Sequence, residues 1–183
     1  TDGKLLAGAT PLWNVDWQKE MEQQALRTEV GLNVSGGGKT NQYYFSAGYL
    51  NDKGIALESG YQRFNLRSNI SSEITRWLRV GVNMSYAHSI QNYPVSSDAK
   101  TSNVINAGRL MPDFYPVYEM NADGTYKLDS EGKRIYDFGS YRPSGATANW
   151  NLPATLPNDK SERMRDEFSG RTFLEVTFLE GLK

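Results

Sequence analysis

Trp77-Leu78-Arg79-Val80-Gly81-Val82-Asn83-Met84-Ser85-Tyr86-Ala87 alternates apolar and polar side chains from end to end. An extended chain points successive side chains to opposite faces. Leu78, Val80, Val82, Met84 and Tyr86 therefore share one face, and Arg79, Asn83 and Ser85 the other. The same period governs the segments on either side. Residues 62–72 set Phe64, Leu66 and Ile70 against Arg63, Asn65, Arg67 and Asn69. Residues 42–50 gather Tyr43, Phe45, Ala47 and Tyr49 on one face, and residues 26–35 gather Val30, Leu32 and Val34. Residues 171–179 repeat the pattern less cleanly, with Leu174, Val176 and Phe178 opposing Glu175 and Thr177. Each stretch reads as a strand of about 10 residues, long enough for a wall of a membrane barrel.

Pattern alone leaves two homes for the polar rows: the solvent face of a soluble sheet, or the wet lumen of a large barrel. The connections favour the barrel. They run short (36–41), medium (51–61), short (73–76), very long (88–170) and very short (Glu180-Gly181). Barrels of the outer-membrane type pair short periplasmic turns with long extracellular loops, whereas a sandwich has no such requirement. The fold class expected is all-β: an antiparallel up-and-down meander from a large transmembrane β-barrel, with a long extracellular loop. The chain divides into a leader and short helix (1–25), four barrel strands (26–90), the loop (91–170), and a last strand with a turn cut short inside the sheet (171–183).

Within 14–25 a short helix is expected, capped by Asn14 or Asp16. The long loop carries its own elements. Residues 102–111 suit a helix ended by Pro112. A hairpin turns at Asp123-Gly124, Lys133–Phe138 supplies a third strand, and 139–170 reads as surface loop.

Composition narrows the chemistry. Twenty Lys and Arg against 21 Asp and Glu give a net charge of −1, with no basic excess for a nucleic-acid backbone. Cysteine is absent and His88 is the one histidine, which excludes thiolate sites and His clusters. No secretory leader is expected at the start, TDGKLLAGAT, which lacks a basic and apolar core. No catalytic, cofactor or metal residue emerges, so the chain is not expected to be an enzyme. Asn33 to Thr40 imitates a phosphate loop, but its first glycine is missing and a strand follows, so a hairpin turn is expected. Asp123 to Gly132 is acidic but lacks the spacing of a calcium loop, and reads as two turns. His88 reads as a surface residue past a strand end. Tyr115, Tyr118, Tyr136, Tyr141 and Trp150 in the long loop are candidate contacts for a substrate or partner. The alternative is a small core holding the loop together.

Val15-Asp16-Trp17-Gln18, Leu32-Asn33-Val34-Ser35-Gly36-Gly37, Tyr43-Tyr44-Phe45-Ser46-Ala47-Gly48-Tyr49-Leu50-Asn51, Ser59-Gly60-Tyr61-Gln62-Arg63-Phe64-Asn65-Leu66-Arg67 and the opening strand together resemble the barrel segment of the SusC/RagA family. These are TonB-dependent outer-membrane transporters of Bacteroidetes. The tail Arg171 to Lys183 resembles the family's strand before a Gly-Leu-Lys turn. The resemblance is dense over 15–90, moderate over 171–183 and patchy between. It implies a barrel of about 22 strands with an internal plug, localisation in the outer membrane, and import of a glycan or peptide cargo. The implied partners are a SusD-like surface lipoprotein, TonB and membrane lipid. About five strands are present, so the chain would not transport alone. Arg63, Asn65, Arg67, Asn69, Arg79 and Asn83 are expected to face the lumen, and the apolar rows to face lipid. A soluble β-sandwich that binds carbohydrate is the alternative.

Overall fold

The computed structural model describes residues 7–8, 13–94, 103–140, 142, 149–159 and 161–177. The chain forms two compact units. One comprises Thr1–Gln24, Ile55–Glu58 and Tyr93–Ser161, and the other Ala25–Gly54, Ser59–Asn92 and Glu162–Lys183.

The second unit is one five-stranded sheet in the order β1-β2-β3-β4-β5, a meander. Its strands are β1 (Arg27–Gly37), β2 (Asn41–Lys53), β3 (Gly60–Thr75), β4 (Leu78–Tyr93) and β5 (Ser161–Val176). β1 to β4 pair antiparallel, each with its neighbour. β5 runs against β4: the Thr177 N–H bonds the Trp77 carbonyl, while Asp166 reaches Tyr86 and His88 further up. Short turns close one end of the sheet, at 38–40 and 76–77, and longer connections leave the other. Residues 33–40 form a hairpin, with the Gly38 N–H bonding the Asn41 carbonyl.

The strands are longer than their alternating cores, at 11 to 16 residues. Ladder hydrogen bonds satisfy the backbone whatever the side chains are, so pairing continues past the apolar rows into polar ends. Two expectations change as a result. β5 opens at Ser161 rather than near 171, so the charged stretch Glu162–Glu167 is strand and not surface loop. His88 lies inside β4, opposite Phe64, rather than past its end. The turn at Glu180-Gly181 and the Gly-Leu-Lys tail lie outside the described residues.

A sandwich would place a second sheet over the apolar face. The described residues form one sheet, and its apolar face is open.

The first unit has its own core: Trp17, Met21, Val104, Ala107, Met111, Val117, Leu152 and Leu156. α1 (Trp17–Glu20) is a single turn, capped by the Asp16 carboxylate on the Lys19 N–H at 3.0 Å. The longer helix expected there does not form. Beyond Met21 the backbone bonds to 55–57 instead, through Gln23 N–H to Ile55 and Leu57 N–H to Met21, and this pairing outweighs helical propensity. α2 (Val104–Leu110) is capped by Asn103 and ends at Met111, just before Pro112. Gly108 lets α2 approach α1, since a Cβ there would meet the Gln18 backbone at 2.9 Å. α3 (Leu152–Thr155) and a 3-10 turn (Leu156–Asn158) complete the core wall.

Between α2 and α3 the expected hairpin and third strand form a small closed device. The Glu119 N–H bonds the Ile135 carbonyl, Ile135 bonds Lys127, and Lys127 bonds Glu119. Three segments eight residues apart thus close a ring of backbone bonds. The two connecting turns match: Gly124 bonds back to Asn121, and Gly132 to Asp129, both glycines at positive φ (83° and 78°).

Candidate functional site

The pairing register of β1 to β4 sorts the side chains into two faces. On one, four rungs cross the sheet: Val30–Tyr49–Phe64–His88, Leu32–Ala47–Leu66–Tyr86, Val34–Phe45–Ser68–Met84 and Gly36–Tyr43–Ile70–Val82. On β1 to β3 polar residues bound this band, with Thr28, Asn51 and Gln62 beyond one edge and Asn41 and Ser72 beyond the other, while on β4 the apolar face runs on to Val80 and Ile90. The Ser72 hydroxyl donates to Asn41 Oδ1 at 2.6 Å. Three intervals of two residues separate the outer rungs by about 20 Å along the strands, to which side-chain radii add several more. The apolar band of a membrane barrel is about 25 Å tall. Side chains of this band are uncovered: Leu32 is 68% exposed, Val30 61% and Met84 41%. Tyr43 and Tyr49 sit near opposite edges of the band, where a barrel carries its aromatic girdles.

One polar cluster interrupts this face. The Tyr86 hydroxyl donates to Asp166 Oδ1 at 2.6 Å, and His88 Nδ1 lies 2.8 Å from the same oxygen. It occupies the two rungs nearest the end of the sheet from which the long connections leave.

The opposite face holds all six residues singled out as lumen-facing. Arg63, Asn65, Arg67 and Asn69 lie across from Ser89, Ala87, Ser85 and Asn83, and Arg79 lies across from Glu73. Arg79 donates to Gln42 Oε1 at 3.2 Å and to Ser71 Oγ at 3.3 Å. Gly48 makes room for the Asn65 amide, which a Cβ there would meet at 2.9 Å. A trough of about 840 Å³ runs over this face, walled by Arg63, Arg67 and β5 and floored by Ser46, Asn65, Ser85 and Ala87. Gly81 lies under the Phe173 ring, in space that a side chain would claim.

In the first unit the loop aromatics divide. Tyr115 and Trp150 pack on the core beside Trp17. The Trp17 indole N–H donates to the Tyr115 carbonyl at 2.9 Å, and the Trp17 and Trp150 rings are 5.8 Å apart. Tyr136 stacks on Tyr118 at 4.9 Å, and Tyr126 meets Tyr118 edge-on at 5.7 Å. The Arg134 guanidinium lies 4.1 Å over the Tyr126 ring. Tyr118 and Tyr126 also line a slot of about 260 Å³ with Trp13, Val15 and Glu20. Burial and the nearby Tyr136 and Glu20 push the Tyr118 hydroxyl up to about 12. Tyr141 lies outside the described residues. Trp13, Glu20 and Tyr126 complete the slot, and only folding brings Trp13 and Glu20 to it across about a hundred residues of sequence.

A buried ion pair holds this unit's interior. Arg142 and Asp137 lie 3.5 Å apart with no side-chain exposure. Arg142 Nη1 donates to the Trp150 carbonyl at 2.7 Å, and Asp137 accepts N–H bonds from Gly139 and Ser140. Asn151 donates to the carbonyls of Val117 (2.8 Å) and Asp137 (2.9 Å).

Among curated proteins, the chain is 29% identical over 176 residues to TonB-dependent receptor P3 of Formosa agariphila. That match covers 93% of the chain and 16% of the relative. It is 28% identical over 106 residues to TonB-dependent receptor SusC of Bacteroides thetaiotaomicron, covering 57% of the chain and 10% of the relative. Among solved structures, the RagAB peptide transporter superposes with a TM-score of 0.64 at 26% identity, over 92% of this chain and 18% of that one. The same importer in its open-open state gives 0.58 at 26% identity, over 91% and 17%. No family model matches the chain. This chain is SusC/RagA-like. Its meander corresponds to a barrel fragment of a RagA-like transporter. It spans less than a fifth of the length of each of these relatives, which are named as TonB-dependent receptors or as a peptide transporter.

Proposed function

We propose that the chain forms part of the barrel wall of a TonB-dependent importer in the outer membrane, one that takes up a glycan or peptide nutrient. One observation carries this reading: an uncovered apolar band on one face of a meander and a continuous polar row on the other. In this reading Val30, Leu32, Val34, Phe64, Leu66, Ile70, Val80, Val82 and Met84 meet lipid. Arg63, Asn65, Arg67, Asn69, Arg79 and Asn83 line the lumen. The Tyr86–Asp166–His88 cluster then marks the outer margin of the bilayer, where polar groups regain water and headgroups. A SusD-like lipoprotein and TonB are the partners of the whole importer. Tyr118, with Tyr126 beside it, contacts cargo or partner from the open slot. Tyr115, Tyr136 and Trp150 serve mainly to hold the loop core.

Spin labels placed singly at 78–84 in the membrane-embedded protein test the two faces. Labels at 80, 82 and 84 are expected to collide with lipid-dissolved oxygen, and those at 79 and 83 with a water-soluble relaxer. Equal lipid exposure at odd and even positions would overturn the reading.

A further inference from the structure

The charges that line the trough do not cancel: Arg63, Arg67 and Arg165 stand there against Asp166 and Glu167. Each acid near the trough already has a partner. Glu29 and Asp52 are held by Arg27, at 3.0 and 3.6 Å. Glu167 pairs with Arg165, and Asp166 is bound by Tyr86 and His88 on the other face. Arg79 is engaged by Gln42 and Ser71. Arg63 and Arg67 have no acidic partner among the described residues, and both side chains stand in the open trough. They sit four positions apart on one straight strand, so their roots are separated by about 13 Å.

We propose that Arg63 and Arg67 form a two-point subsite for an extended acidic polypeptide, with carboxylates spaced four residues apart. An extended chain has the same rise as β3, so a ligand lying along the strand presents acids i and i+4 at the separation of the two guanidiniums. A guanidinium grips a carboxylate through paired N–H donors, which adds direction to the charge. Between the arginines the floor is low: Gly48 and Ala87 flank Asn65, whose amide can bond a ligand backbone. The spacing favours a peptide over an acidic polysaccharide, whose charges follow the sugar repeat. The subsite's role as a cargo contact rests on the importer reading, but the charge recognition does not, and it stands or falls separately from the lipid-accessibility test.

The test is calorimetric titration of the chain in detergent micelles with a blocked seven-residue Ser/Gly peptide carrying Glu at its second and sixth positions. The same peptide with Gln and an oligouronate are titrated in parallel. The Glu peptide is expected to bind with an affinity that falls as salt rises, and the Gln peptide not to bind. Arg63→Gln and Arg67→Gln should each weaken binding by about five- to tenfold. Arg109→Gln, in the other unit, should leave it unchanged. The double charge reversal, Arg63→Glu with Arg67→Glu, should switch preference to a Lys version of the peptide, which a merely unfolded variant cannot do. Equal binding of Glu and Gln peptides, insensitivity to both arginine variants, or no binding by either the native or the reversed chain would overturn the proposal. Tighter binding of the oligouronate would overturn the peptide assignment.

Discussion

Arg142→Met tests whether the first unit is held by its buried ion pair. Both side chains of the Arg142–Asp137 pair are fully enclosed. Deleting one partner of such a pair leaves the other charge uncompensated, a loss of about 3–5 kcal/mol. The structure places Arg142→Met near the lower end. Asp137 keeps its N–H bonds from Gly139 and Ser140 at 3.2 and 2.9 Å, so the stranded carboxylate remains partly satisfied. Met also refills the space of the arginine stem, whose guanidinium lies 5.7 Å from the Trp17 ring and 5.6 Å from the Tyr115 ring. Against this, the Trp150 carbonyl loses its 2.7 Å donor. About 3 kcal/mol is expected, roughly a hundredfold in the folding equilibrium. Urea titration in detergent, followed by tryptophan fluorescence in a Trp77→Phe background that leaves only the first unit's Trp13, Trp17 and Trp150 to report, reads it. Asp137→Asn combined with Arg142→Met should cost clearly less than the sum of the single changes, because each alone strands a buried group. A loss below about 1 kcal/mol for Arg142→Met, or strict additivity, would refute the reasoning.

Three further outcomes are expected of the two units. Met84→Arg, in the middle of the apolar band, should destabilise the membrane-embedded protein by about 2–4 kcal/mol, while Ser85→Arg on the adjacent position should change little; unfolding from lipid vesicles measures both, and equal effects would contradict the assignment of faces. Gly81→Val should displace the Phe173 ring and cost about 1–3 kcal/mol, and Phe173→Ala should recover much of that cost in a double-mutant cycle. Tyr118 should ionise near pH 12, above its ordinary 10, and Glu20→Gln should lower that midpoint in an ultraviolet titration. Because the folded value is raised, the contribution of Tyr118 to stability is complete below pH 10 and is lost as pH rises through about 12.

The sheet was legible in the sequence because a period of two is a local property, set residue by residue. The rows Arg63–Asn69 and Val80–Met84 could be assigned to opposite faces before any pairing was known, and the register keeps them apart. The sequence understates β5 for the converse reason. Glu162, Arg163, Arg165, Asp166 and Glu167 carry no apolar alternation, and they are extended because β4 offers a ladder beside them. The one-turn α1 has the same cause, since pairing of 21–23 with 55–57 is invisible in either segment alone. At the candidate site, residue types were readable but partners were not. Trp150, Tyr115 and Tyr118 look alike in sequence and all three pack on the core, yet of these only Tyr118 also lines the slot.

The distribution of burial within the sheet argues most strongly for a wet interior. A soluble sheet curls over its apolar face, because burial of that face drives folding. Here the order is inverted. Asn65, Asn69, Asn83 and Ser85 are half-buried, while Phe64, Leu66, Ile70 and Met84 on the reverse side are exposed. The polar side chains are thus the better covered of the two sets, and the trough over Arg63 and Arg67 lies on their side of the sheet. In water such a shape would expose the wrong surface. It becomes favourable when the medium outside is hydrocarbon and the medium inside is water, since β2, β3 and β4 are paired on both sides and the outer side chains then cost nothing to leave uncovered. Two features of the inner face suit the same inversion. Gly81 yields its place to Phe173, and Gly48 yields its place to Asn65, so each larger side chain sits in the space that a Cβ on its neighbour would claim. A face that clears space for water and leaves two arginines unneutralised is a surface prepared to meet something else that is charged.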